Sequence, residues 1–88
     1  MNTFPQIPQI KRFILRALLR LKGLPWPDAL LDDTLLHGLV PPPLLSDVHQ
    51  AKHELERCGF IQGIHDDLDD QVSWSLTPRG LHRAKELE

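Results

Sequence analysis

From Ile10 to Lys22 the apolar residues fall at helical spacing: Ile10, Phe13, Ile14, Ala17, Leu18 and Leu21 form one broad stripe. Gly23 and Pro25 are natural stops for that helix, and Pro25-Trp26-Pro27 reads as a rigid extended crossing. A second helix is expected from about Pro27 to His37, with Asp28 favourable near its positive end. Ala29, Leu30, Leu31, Leu35 and Leu36 supply its apolar content, and Gly38 ends it. Pro41-Pro42-Pro43 then forces a stiff turn without backbone donors. A third helix is expected from about Leu44 to Cys58, on a narrow stripe of Leu44, Val48, Ala51, Leu55 and Cys58, with Gly59 as its stop.

After Gly59 the period changes from the helical value to about two. Phe60 to Asp66 reads as a strand, Asp67 to Asp70 as a polar turn, and Gln71 to Leu76 as a second strand. In that second strand Val72, Trp74 and Leu76 share one face and Ser73 and Ser75 the other. Thr77 suits an N-cap with Pro78 at the first helical position, so a short last helix is expected from Arg79 to Glu86, weakened by Gly80. A lone hairpin is not stable, so its apolar face must pack on the helices. The predicted fold is α+β: a winged helix-turn-helix over residues 10–88, behind an extended arm over residues 1–9. Its core is expected from the first and third helices, the hairpin face and Trp74.

Composition narrows the function classes. Eighty-eight residues make one domain, which buries roughly 60–65% of its unfolded surface and has little room for a catalytic cleft as well as a core. The formal net charge of −2 counts against a dedicated nucleic-acid binder, although local patches matter more than totals. Cys58 is the sole cysteine and cannot form an internal disulfide, which is compatible with a cytoplasmic location; on the third stripe it reads as a core thiol. No apolar run approaches the ~20 residues of a membrane span. There is no Gly-rich phosphate loop and no Ser/His/Asp grouping, so neither an enzyme nor a cofactor is expected.

Leu55-Glu56-Arg57-Cys58-Gly59-Phe60-Ile61 resembles the end of the recognition helix in MarR-like and PadR-like transcriptional regulators. Leu76-Thr77-Pro78-Arg79-Gly80 resembles the exit from their wing. The resemblance covers about residues 44–86 and implies that the third helix is the one that reads duplex DNA. Those families usually carry additional helices for dimerisation, for which this chain has almost no room. Opposite the third apolar stripe lie Ser46, His49, Gln50, His53 and Arg57, the candidate DNA-reading residues, because Gln can pair with adenine and Arg with guanine in a major groove. Asp47, Glu54 and Glu56 flank that face and repel phosphates. Lys11, Arg12, Arg16 and Arg20 are candidate backbone contacts on a first helix without anions. Leu15 and Leu19 lie off the core stripe as a candidate seam for a homodimer or protein partner. Asp66, Asp67, Asp69 and Asp70 at the wing tip are the other candidate partner contacts. They lack the spacing and central Gly of a calcium loop, and His49 with His53 lacks a third zinc ligand, so no metal is expected. Two functions follow: a small transcription-regulator-like DNA-binding module, or a protein-interaction adaptor that uses the acidic wing or the leucine seam.

Overall fold

The computed structural model describes residues 4–21, 24–65, 67–68 and 70–87. Gly23, Lys22 and the first three residues of the expected arm lie outside them. Helix α1 spans Ile7–Arg20. It starts ahead of the expected Ile10 because Pro8 suits a first turn and the Gln6 N–H is taken by the Gln9 side-chain oxygen at 2.8 Å. Strand β1 (Trp26–Pro27) leads directly into α2 (Asp28–Gly38), and the triple-proline turn, with a cis Val40–Pro41 peptide, delivers the chain to α3 (Leu45–Arg57). The hairpin β2 (Ile61–His65) and β3 (Val72–Leu76) follows, and α4 (Pro78–Glu86) closes the order.

The sheet has three antiparallel strands in the order β1-β3-β2, not two. The expected extended crossing is itself an edge strand that sets Trp26 opposite Trp74, while Gly63 faces Trp74 from the other side. Beneath the sheet, Ile10, Ile14 and Leu18 of α1, Leu31 and Leu35 of α2, Val48 and Leu55 of α3, Ile61 of β2 and Ala84 of α4 make the core. Trp74 packs against that cluster half-buried, at its edge and not at its centre.

Two residues of the expected third stripe are not in the core. Leu44 is the N-cap, with extended backbone angles that take its side chain off the helical face, and it is 46% exposed. Cys58 is exposed, because the helix has already ended at Arg57 and the chain is turning away. Gly59, at φ +81°, permits that turn: its N–H and that of Phe60 reach back to the Glu56 and Leu55 carbonyls, the crossed pair of bonds that closes a helix on a left-handed glycine.

The second motif has an equally local cause. The Thr77 hydroxyl accepts from Gly80 N–H at 3.0 Å and donates to the Gly59 carbonyl at 2.5 Å, and Thr77 N–H binds the Phe60 carbonyl at 3.1 Å. The start of α4 is thereby seated on the end of α3. The approach is so close that a Cβ on Gly80 would lie 1.8 Å from the Phe60 oxygen.

Candidate functional site

The outer face of α3 is as the helical period places it. Ser46, His49, Gln50, His53 and Arg57 are all exposed, with the helix's apolar residues on the opposite side. Its flanks are tied to the rest of the fold. On one side Lys11 of α1 meets Glu54 at 3.4 Å. On the other the Glu56 carboxylate accepts from the Gly63 N–H of β2 at 3.3 Å.

The strongest polar feature lies beside this face and centres on a residue that sequence reasoning passed over. Lys52 is 3% exposed. Its ammonium donates to Asp28 Oδ1 at 2.6 Å and to Asp32 of the same helix, α2. The Trp74 indole N–H donates to that same Asp28 oxygen at 2.7 Å, and His49 Nε2 stands 4.0 Å from Asp32 Oδ2. A buried lysine is tolerated only when its charge is matched, and here two carboxylates one helical turn apart match it. Burial on its own raises the Asp28 carboxyl; hydrogen bonds from Lys52 and Trp74 and the charges of Lys52 and His49 outweigh it and hold the group below its ordinary 3.8. The signal that could have found this knot is the Asp28/Asp32 pair at i and i+4, which puts two carboxylates on one helical face.

The basic residues of α1 do not form one free phosphate-facing row. Lys11 is engaged by Glu54, and Arg16 donates to the Leu87 carbonyl at 3.0 Å. Arg12 and Arg20 are exposed, with no ion pair among the described residues. The leucine seam is corrected: Leu15 is 4% exposed and Leu19 is half-buried against the core. Helix α4 packs along α1 and covers the side on which these leucines lie. Asp67 and Asp70 are exposed on the wing, while Asp66 and Asp69 lie outside the described residues.

Charge is segregated along the chain and hence across the fold. Residues 24–76, which supply α2, α3 and the sheet, hold ten of the twelve carboxylates but only two of the ten Lys and Arg, Lys52 and Arg57. Lys52 is buried and already matched. The remaining cations belong to α1, α4 and the residues beside them. Among the described residues no cluster of three His, Cys, Asp or Glu side chains could hold a metal, and no helix is long and apolar enough to cross a membrane.

Solved structures with this arrangement exist. A cysteine-to-serine variant of ZitR from Lactococcus lactis superposes with a TM-score of 0.68 at 23% identity, covering 88% of this chain and 47% of that one. The apo form of a ZitR variant with a cysteine and a histidine both changed to alanine gives 0.71 at 22% identity, covering 91% and 55%. The fold is a winged helix. The chain spans about half the length of these structures. No family model and no curated protein matches the sequence.

Proposed function

We propose that this chain is a transcription-regulator-like, non-enzymatic module of the cytoplasm that binds duplex DNA, with α3 as the reading helix. The observation that carries the reading is the exposed row Ser46, His49, Gln50, His53 and Arg57 on the third helix of a winged helix, held in place by the Lys52 knot and the Glu54 and Glu56 ties. The fold supports a major-groove approach, and Gln50 and Arg57 have the side chains for bidentate base contacts. Arg12 and Arg20, with Lys11 and Arg16 once their present partners release them, are the proposed phosphate contacts.

The test is a duplex selected from a random library and titrated at low and moderate salt. Gln50→Ala and Arg57→Ala should each fold normally and lose about 1–3 kcal/mol of specific binding. If no duplex binds the wild type even at low salt, the reading fails. The adaptor reading has one observation in its favour, the concentration of carboxylates on α2, α3 and the wing. It is the conclusion if the protein ignores DNA and instead captures a basic protein through Asp67 and Asp70.

A further inference from the structure

Helices α1 and α4, which pack on each other, carry seven Lys and Arg and one carboxylate, Glu86. Five of those cations gather at one seam. Lys11, Arg12 and Arg83 line the hollow between the two helices, together with Phe60 and Leu87. The Arg79 guanidinium lies 4.9 Å from the centre of the Phe60 ring, and Arg16 donates to the Leu87 carbonyl at 3.0 Å.

Little of this charge is matched within the chain. Glu54 meets Lys11 at 3.4 Å, and Glu86 meets Arg83 at 3.0 Å while also facing His82 at 2.9 Å. Arg12, Arg16 and Arg79 are exposed, with no ion pair among the described residues. The arrangement works against the fold in two ways. Arg12 with Arg16, and Arg79 with Arg83, are like charges at i and i+4, a spacing at which they destabilise a helix. Arg79 also stands in the first turn of α4, the positive end of the helix, where a cation is disfavoured. An anion at the seam relieves both.

We propose that the α1–α4 seam binds the phosphate backbone of duplex DNA without regard to sequence, with Arg79 and Arg83 of α4 acting alongside Arg12 and Arg16. Four of the five seam cations are arginines, whose planar fork holds phosphate oxygens in pairs. A duplex presents one charge per about 1.7 Å of its axis, against at most one per roughly 3.3 Å from an extended acidic peptide, so it meets several seam cations at once. An anionic membrane fits less well, since α1 has no exposed large apolar side chain to insert and α4 has only Leu81. The proposal rests on the reading that this chain binds duplex DNA, but not on α3 as the reader: no residue of the α3 row lines the seam.

Anisotropy titrations of a random and a selected duplex across a salt series test it. Arg79→Gln/Arg83→Gln should weaken both duplexes together, roughly tenfold at low salt, and lower the slope of log affinity against log salt by about 0.9 for each phosphate released. Arg79→Lys/Arg83→Lys keeps the charge and should keep the slope. Gln50→Ala/Arg57→Ala should instead abolish the preference for the selected duplex. Should the Gln pair fail to fold, Arg83→Gln alone, at an exposed side chain, reads the same loss with about half the change of slope. A folded Gln variant with unchanged affinity and slope overturns this proposal and leaves the α3 reading standing. A wild type that binds no duplex at low salt overturns both. A wild type that prefers anionic lipid vesicles or polyglutamate to duplex at the same salt overturns the choice of partner.

Discussion

An alanine at position 80 would be the better helix former by roughly 1 kcal/mol, yet the chain has no room for one. The carbonyl of Phe60 occupies the space, and it is backbone held by Thr77, so neither side can yield cheaply. Gly80→Ala should therefore destabilise by about 2–3 kcal/mol, as overpacking against fixed atoms does, and lower the melting temperature in thermal unfolding by roughly 10 °C. Lys52 makes the converse case, a residue that helical propensity would leave in solvent. Lys52→Met should cost about 2–3 kcal/mol, less than a fully buried pair because Asp28 and Asp32 keep 40% and 20% of their side-chain exposure. Changing Asp28 and Asp32 to Asn in that background should restore most of the stability, since no charge is then stranded. The same knot fixes an acid dependence. The Asp28 carboxyl is depressed in the folded state, so its stabilisation is fully present above the ordinary value of 3.8 and fades as pH falls through the lower folded value. Melting curves taken from neutral to strongly acid pH should show a shallower acid limb for Asp28→Asn than for the wild type.

Among the elements, the long periodic ones were legible and the short ones were not. All four helices and both hairpin strands follow from spacing and from Gly, Pro and Thr punctuation. Strand β1 could not be read that way, since two residues carry no period and Pro27 has no N–H to give; it exists because Trp26 has Trp74 to face. The misplaced leucines share a cause. A stripe drawn for packing on α2 and α3 leaves Leu15 outside it, but α4 packs along the other side of α1 and buries it. The outer face of α3 was legible, because its exposed residues lie at the helical angle opposite the buried Val48, Ala51 and Leu55. Its support was not, because the Lys52 knot joins residues 20 and 24 positions apart. For the wing as an element the expected behaviour concerns repulsion. Changing Asp66, Asp67, Asp69 and Asp70 to Asn should strengthen binding to random duplex DNA severalfold in an electrophoretic or anisotropy titration, with the gain largest at low salt.

At the scale of the whole molecule the segregation of charge governs how it meets other polymers. Helices α1 and α4, which pack on each other, hold most of the cations, while α2, α3 and the wing hold most of the carboxylates. A polyanion approaching at long range is drawn to the first surface and opposed by the second. If Arg12 and Arg20 bind phosphates in the reading complex, replacing both with Ala should reduce the slope of log affinity against log salt by about 0.9 for each phosphate that is no longer neutralised. An unchanged slope would mean that other residues neutralise the DNA backbone. The whole molecule also carries its own optical probe. The chain has two tryptophans and no tyrosine, and the two stand opposite each other across β1 and β3. Red-edge intrinsic emission therefore comes from the sheet alone, while far-ultraviolet circular dichroism is dominated by the four helices. A difference between the two signals during denaturation would time the detachment of the wing against the melting of the helical body, without a label or a mutation.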